Sequence, residues 1–308
     1  MAGTAALEPA HHHAHAGPGD RRRLTVTLTL IVAFMAVEVA AGVLAHSLAL
    51  LSDAGHMLTD AGALALALLA SVMASRPASG RYTFGLRRAE ILSAQANGAT
   101  LLVVSALILY GAVRRLISPP DVDGTAVLAV AIAGIAVNLA ATRILAGDQR
   151  RSLNLEGAFQ HVLTDLYAFA GTALAGVVII AAGFDRADPI ASLAVVALML
   201  RAAWGLLSAS GRVFMEAAPA GVDPAAVGEA LASASGVVEV HDLHVWEVTS
   251  GFPALSAHVR VTRDSDCHEA RRRLEQLLRE RFGIEHTTLQ MEHEAPLLLQ
   301  LEEPRSNR

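Results

Sequence analysis

The sequence contains little cysteine and little charge. Its 308 residues include one cysteine, Cys267, and only 17% of them are Asp, Glu, Lys or Arg. A single cysteine excludes an intrachain disulfide and gives no sign of a disulfide-stapled extracellular domain. The formal net charge of −5 is modest and argues against a nucleic-acid partner. By contrast, 53% of the residues are hydrophobic and the mean hydropathy is +0.44. That composition is typical of a membrane protein.

The apolar residues are gathered into long runs that turn signals separate. These runs cover roughly residues 24–45, 48–74, 90–117, 124–146, 155–183 and 189–211. Each run can cross a hydrocarbon layer of about 30 Å at 1.5 Å per helical residue. The first run is too long for the apolar part of a signal peptide, so we interpret it as a membrane helix. We therefore predict a polytopic α-helical membrane domain of six transmembrane helices over residues 24–212. A disordered, His-rich cytoplasmic tail over residues 1–23 precedes it.

The distribution of arginine predicts the orientation. Ten arginines lie in the segments on the side of the N-terminus, and three lie in the loops on the other side. Positively charged residues accumulate on the cytoplasmic side of membrane proteins. We therefore predict a multi-pass protein of the cell (inner or plasma) membrane with both termini in the cytoplasm.

After Arg212 the sequence loses its long apolar runs. Asp223 and Pro224 form a favourable N-cap and first-turn pair, and later segments alternate apolar with polar residues as strands do. The predicted elements are a helix over 223–234, strands over 236–248 and 253–261, an amphipathic helix over 266–282 and a strand over 286–292. The order αββαβ predicts a small cytoplasmic α+β domain within residues 213–308.

One short motif occurs twice inside the predicted spans. It reads HMLTD at His56–Asp60 and HVLTD at His161–Asp165. A His and an Asp four residues apart share one helix face, about 6 Å apart along the axis. A charged residue at the bilayer centre costs roughly 2.5–3.5 kcal/mol on insertion scales, so its repetition indicates function. We predict that a divalent metal is bound tetrahedrally by His56, Asp60, His161 and Asp165. Nitrogen and oxygen ligands suit Zn²⁺ best, with Co²⁺, Cd²⁺, Fe²⁺ and Mn²⁺ as alternatives.

Other polar residues lie within the predicted spans. Asp53, seven residues before Asp60 on nearly the same face, either holds an imidazole or water beside the metal or is a carboxylate near the outer water cavity. Interhelical hydrogen bonds are a sufficient explanation for the remaining polar residues. These are Glu38, Gln95, Asn97 and Asn138.

Several longer segments resemble a known family. They are LALLSDAGHMLTDAGALALALLA (48–70), RYTFGLRRAEILSAQANG (81–98), GIAVNLAATRIL (134–145), EGAFQHVLTDLYAFAG (156–171) and DPIAS (188–192). All are similar to signatures of the cation diffusion facilitator family, in particular of its bacterial zinc/cadmium/cobalt efflux branch and of the related eukaryotic zinc transporters. The resemblance extends from about residue 24 to 294. It implies a six-helix membrane domain, a metallochaperone-like cytoplasmic domain, a homodimer and exchange of metal for protons. It also implies that the two His-Asp pairs form the transport site, in the combination associated with zinc.

The same resemblance implies a second metal site in the cytoplasmic domain. The matching positions are His241, His258 and Glu292, with His244, His286 and His293 as alternatives. Their role would be regulatory, tightening the dimer when cytosolic metal rises, although histidines on strands are often only solvated. The tail residues His11, His12, His13 and His15 are either a metal-collecting arm or an artificial affinity tag.

Ligand chemistry connects these sites to a function. Metal binding needs neutral imidazole and ionised carboxylate, so metal and protons compete for the same atoms. We predict a divalent-cation efflux transporter, for Zn²⁺ first, that works as a metal/proton antiporter by alternating access. The expected partners are divalent metal ions, protons, the lipid bilayer and a second copy of the chain, with no cofactor and no nucleic acid. Three alternatives remain open: a carrier mainly for Cd²⁺, Co²⁺, Fe²⁺ or Mn²⁺, a His-Asp membrane acyltransferase, and a metal sensor that does not transport. An intramembrane metalloprotease is disfavoured because the sequence has no HExxH motif, and we predict that the chain is not an enzyme.

Overall fold

A computed structural model of the protein describes residues 18–44, 48–118, 124–146, 152–184 and 186–294. The chain divides into two compact units. The first contains six long helices, and the second contains two shorter helices and most of a three-stranded sheet.

The helices of the first unit correspond to the apolar runs of the sequence. They are α1 (Pro18–Leu44), α2 (Leu48–Ala74), α3 (Ala89–Ile117), α4 (Gly124–Leu145), α5 (Leu153–Ala182) and α6 (Ala187–Phe214). The shortest has 22 residues and the longest has 30, so each is long enough to cross a membrane. In the described residues, α3 to α6 also have the required composition, with a mean hydropathy of 1.8 to 2.0 in the best window of each span. The described apolar part of α2 is shorter, Asp60–Ala74. The prediction of a six-helix membrane domain is confirmed.

The ends of α5 show how local sequence sets a helix. Ser152 has an extended backbone, and its side chain accepts a hydrogen bond from the backbone N–H of Leu155, as an N-cap does. At the other end Gly183 takes a left-handed backbone with φ of 61°, and its N–H bonds to the carbonyl of Ile179. Glycine is favoured there because it has no Cβ to clash. These two residues fix the length of the helix that carries the second HxLTD motif.

Two clusters of buried apolar side chains hold the six helices together. The first cluster contains residues of α1, α2, α4 and α5, and the second lies mainly between α3 and α6. Small residues such as Ala67, Ala141 and Ala158 in the first cluster allow the helix backbones to approach closely. The apolar packing therefore places α2 against α5, the two helices that carry the repeated motif.

The second unit has the predicted αββαβ order. Its elements are α7 (Pro224–Ala232), β1 (Val237–Thr249), β2 (Phe252–Val261), α8 (Cys267–Phe282) and β3 (His286–His293). The strand order is β1-β2-β3, and β2 runs parallel to β3. That pairing needs a crossover, which α8 supplies. The α+β fold class is therefore confirmed.

The alternation of β2 separates an apolar face from a polar face. Leu255, Ala257 and Val259 are buried in a core that also includes Leu274 and Leu278 of α8. Successive side chains of a strand point to opposite faces. The intervening residue His258 therefore lies on the face of the sheet away from that core.

Candidate metal centres

The described residues bring three of the four predicted transport ligands together between α2 and α5. Asp60, His161 and Asp165 are 6%, 4% and 6% exposed. The Nε2 atom of His161 is 3.0 Å from Oδ1 of Asp60. One ligand atom from each of the three residues lies within 4.8 Å of the others. That spacing is compact enough for a single divalent ion to contact all three.

Helix geometry and one buried hydrogen bond position these side chains. His161 and Asp165 lie on the same face of α5, one turn apart. The side-chain amide of Asn154, also on α5, donates a 2.6 Å hydrogen bond to the backbone carbonyl of Ala67 on α2. Both partners are fully buried. This bond ties the two ligand-bearing helices together on one side of the site.

His56 and Asp53 belong to α2, but their side chains lie outside the part of the structure that is described. His56 is four residues before Asp60, which places its backbone one turn along the same helix. The prediction that His56 completes the ligand set stays a prediction, and so does the supporting role of Asp53.

The donor set fits a divalent cation. Burying carboxylates away from water is costly unless their charge is compensated, and a bound cation would provide that compensation for Asp60 and Asp165. The Nδ1 atom of His161 is buried and has no hydrogen-bond partner among the described residues. An imidazole nitrogen and carboxylate oxygens suit Zn²⁺, which takes both kinds of ligand. The contact between Nε2 of His161 and Asp60 would break when a metal took the place of the proton.

The sheet of the second unit carries a second group of possible ligands. It joins His241 of β1, His258 of β2 and Glu292 of β3, all partly buried, with one ligand atom of each within 4.8 Å of the others. The Nδ1 atom of His258 is 3.3 Å from Oε1 of Glu292. The rings of His241 and His258 are 5.2 Å apart between centroids.

Strand register explains why these side chains meet. In the parallel pair, His258 lies beside Gln290 of β3, and Glu292 follows two residues later on the same face. The amide of Gln290 donates a 2.9 Å hydrogen bond to Glu292. This bond holds the pKa of Glu292 below its ordinary value, and the hydrogen bond and charge of His258 act in the same direction. Glu292 therefore stays ionised, as a metal ligand must.

Sequence reasoning missed one acidic residue beside this group. The carboxylate of Asp242 is 3.8 Å from Nε2 of His258 and 3.0 Å from Nε2 of His244. Asp242 has a left-handed backbone with φ of 52°, which interrupts the regular alternation of β1. An Asp between the two histidines of HDLH was the available signal, because Asp tolerates this conformation better than most residues.

The three alternative histidines stay outside both groups of possible ligands that occur in the described chain. The ring of His286 contacts the Phe252 ring at 5.5 Å, and His244 bonds to Asp242. His293 lies 3.0 Å from Sγ of Cys267. The histidines of the tail lie outside the described residues.

The prediction that interhelical hydrogen bonds explain the intramembrane amides is wrong for two of them. Asn138 is buried, and its amide donates a 3.1 Å hydrogen bond to the carbonyl of Gly134 within its own helix. Asn97 is also buried, and its Nδ2 has no partner within the described ranges. The side chain of Glu38 lies outside the described part.

Comparison with known proteins covers both units. A family model described as the cation efflux transmembrane domain matches residues 24–215, and one described as the cation efflux protein, cytoplasmic domain, matches residues 219–294. The "Cadmium, cobalt and zinc/H(+)-K(+) antiporter" of Bacillus velezensis is 39% identical over 287 residues, which cover 92% of this chain and 91% of that protein. The "Zinc transporter ZitB" of Escherichia coli is 39% identical over 292 residues, which cover 92% of this chain and 93% of that protein. A solved structure, the metal-bound C-terminal domain of the CzcD transporter from Cuprividus metallidurans, is 36% identical with a TM-score of 0.23. It covers 23% of this chain and 99% of its own.

Proposed function

Because the chain belongs to the cation diffusion facilitator family, we propose that it exports a divalent cation, most readily Zn²⁺, in exchange for protons. Membership makes it a multi-pass membrane transporter and not an enzyme, so the acyltransferase alternative is set aside. A metal sensor that does not transport is set aside on the same grounds. Zinc occurs in the names of both relatives described above, which supports Zn²⁺ ahead of the other candidate ions.

The observation that carries this proposal is the buried group of Asp60, His161 and Asp165. These side chains lie inside a bundle of membrane-length helices, where an ionisable residue is costly and marks a pathway or a site. We assign them, with His56, to the transport site. The transported metal is therefore a substrate and not a resident cofactor.

Proton coupling follows from the contact within this site. A proton shared between His161 and Asp60 occupies the atoms that a metal would need. In the inward-facing state Zn²⁺ binds and displaces protons. In the outward-facing state a higher proton activity favours reprotonation and release of the metal. Movement of the helices around the fixed site would provide alternating access.

We place both termini in the cytoplasm, residues 24–212 in the cell membrane and residues 213–308 in a cytoplasmic domain. The match of residues 219–294 to a cytoplasmic domain supports this orientation. Six crossings then return the N-terminus to the same side, in agreement with the arginine distribution. We also propose that two copies associate through the cytoplasmic domain.

The group on the sheet is proposed to bind a regulatory metal. His241, His258 and Glu292 provide two nitrogen ligands and one oxygen ligand, and Asp242 is close enough to join them. Their partial exposure suits an ion that exchanges with the cytosol. Metal bound there would report the cytosolic concentration to the rest of the protein.

Transport is tested by reconstituting the purified protein in liposomes that enclose a zinc indicator. The initial rate of Zn²⁺ uptake is measured with and without an outward-directed proton gradient, beside Asp60→Ala. We expect uptake that needs both the gradient and Asp60. Uptake that needs Asp60 but ignores the gradient would contradict proton exchange. Equal uptake by Asp60→Ala would contradict the site.

A further inference from the structure

A line of buried polar side chains runs along one face of α3. Glu90, Ser93 and Asn97 are separated by three and four residues, the spacing that places side chains on one helix face. They are 4%, 2% and 1% exposed. Within the described residues, Oε1 of Glu90, Oγ of Ser93 and Nδ2 of Asn97 have no hydrogen-bond partner. Three neighbouring groups therefore keep unused hydrogen-bonding capacity where an apolar helix face would be less costly.

The Asn97 end of this line lies against α5, close to the transport site. A Cβ added to Gly157 of α5 would lie 3.4 Å from Nδ2 of Asn97 and 3.6 Å from Cα of Ala94. The absence of a side chain at Gly157 therefore allows α3 to approach α5 at this level. His161 lies one turn further along α5, about 6 Å along the helix axis. The line on α3 thus leads to within one helical turn of the ligands.

The opposite end of the line is Glu90, in the first turn of α3. Two more fully buried polar atoms lie on the neighbouring ligand-bearing helices. They are Oγ of Ser71 on α2 and Oδ1 of Asn154 on α5, and neither has a partner in the ranges described. Buried polar groups of α2, α3 and α5 therefore lie between the transport site and the end of the bundle at which α3 and α5 begin.

A permanent structural role explains these groups poorly. Buried polar atoms that hold helices together are satisfied by their neighbours, as Nδ2 of Asn154 is by the carbonyl of Ala67. Groups that lack a protein partner are suited to a transient one, such as water or a hydrated ion. The buried carboxylate of Glu90 would attract a divalent cation, the hydroxyl oxygen of Ser93 could replace part of its hydration shell, and the amide N–H of Asn97 could donate to a water that the ion retains.

We propose that Glu90 is the carboxylate that captures the divalent cation on its way to the transport site, and that Ser93 and Asn97 line the route from it. The inference rests on the proposed function, which places this end of the bundle in the cytoplasm. Glu90 acts here on the arriving cation and does not belong to the proposed final ligand set of His56, Asp60, His161 and Asp165.

The first test separates capture from final binding. In proteoliposomes, Glu90→Gln should raise the half-saturating Zn²⁺ concentration by about ten-fold, because a charge that focuses ions acts on the rate of association. The maximal rate should change by less than about two-fold, and the Kd measured at equilibrium in detergent should change equally little. Glu90→Asp keeps the charge and should retain most of the wild-type kinetics.

The matched control is Glu156→Gln. Glu156 lies in the first turn of α5, which begins at the same end of the bundle, and it already accepts a 2.6 Å hydrogen bond from Gln160. This variant should leave the half-saturating concentration unchanged. Wild-type kinetics for Glu90→Gln, in a protein whose transport still requires Asp60, would overturn the capture role alone. A rise in Kd as large as the rise in half-saturating concentration would make Glu90 part of the binding site, and this result would also overturn the capture role. Absence of transport by the wild-type protein would contradict the proposed function itself.

A second measurement does not depend on how Glu90→Gln folds. In a Cys267→Ser background, Ser93→Cys should react with a small cationic thiol reagent added from the cytoplasmic side, and Zn²⁺ should slow that reaction. Ser105→Cys is the control, because Ser105 is equally buried on α3 but donates a 2.6 Å hydrogen bond to the Leu101 carbonyl. It should stay unreactive. Equal inertness at both positions would show that no polar route passes Ser93.

Discussion

Replacing Asp60 with asparagine is the most direct test of the transport site. The substitution keeps the size of the side chain and removes its charge, and Asp60 is one of three described residues whose ligand atoms lie within 4.8 Å of one another. Zinc-finger peptides bind their four-coordinate zinc ion by roughly 10–16 kcal/mol, so one ligand of such a set contributes about 3 kcal/mol. Because 1.4 kcal/mol is a factor of ten, Asp60→Asn should raise the Kd for Zn²⁺ by about a hundred-fold.

The assay is competition against a fluorescent zinc chelator, using purified full-length protein in detergent. All the proteins compared also carry His258→Ala, which removes zinc binding by the proposed site on the sheet. Thr164→Val is the matched control, because Thr164 is buried between His161 and Asp165 but bonds to the Gln160 carbonyl of its own helix. It should bind zinc as the background protein does. A Kd for Asp60→Asn within about three-fold of the background would refute the ligand assignment, because it corresponds to well under 1 kcal/mol.

Three further predictions follow from other parts of the structure. Gly134→Ala should lower the free energy of unfolding by about 1–3 kcal/mol through overpacking. The added Cβ would lie 2.6 Å from Cγ of Phe169 and closer still to two other atoms of that ring. Thermal denaturation measures the loss. Glu292→Gln should raise the Kd for zinc on the sheet by at least about ten-fold, because it replaces a carboxylate that the hydrogen bond from Gln290 keeps ionised by lowering its pKa. Competition against a zinc chelator measures the change, and an unchanged Kd would remove Glu292 from the ligand set. Asp266 accepts two backbone hydrogen bonds at the start of α8, which lower its pKa. Its stabilisation is therefore complete at neutral pH and is lost as the pH falls through that lowered pKa. Asp266→Ala should therefore reduce the melting temperature most at pH 7 and by progressively less as the pH is lowered below about 4.

Much of the fold could be predicted because each element has a local signal. The apolar runs predicted six helices, and Ser152 and Gly183 mark the ends of α5 by cap chemistry that depends only on neighbouring residues. The alternation of β2 predicted which of its residues face the core. The spacing of the repeated motif placed His161 and Asp165 on one helix face before any tertiary contact was known.

The region around the sheet site could be predicted only in part. Strand alternation assumes a regular extended backbone, and Asp242 departs from it with φ of 52°. That local turn brings the carboxylate to 3.8 Å from His258. The alternation of β1 predicts an extended backbone at this position, so the sequence pattern alone does not predict the left-handed conformation of Asp242.

The two amides Asn97 and Asn138 show why the polar route on α3 could not be predicted from the sequence. Both lie in apolar helices, both are buried, and periodicity treats them alike. The amide of Asn138 bonds within α4. Asn97 instead faces α5 at Gly157, which has no side chain that could accept a hydrogen bond. Whether a buried amide is satisfied therefore depends on what the neighbouring helix presents. Since an unsatisfied group costs free energy that a leucine would not, a line of such groups leading from Glu90 towards His161 is better explained by a passing ion than by stability.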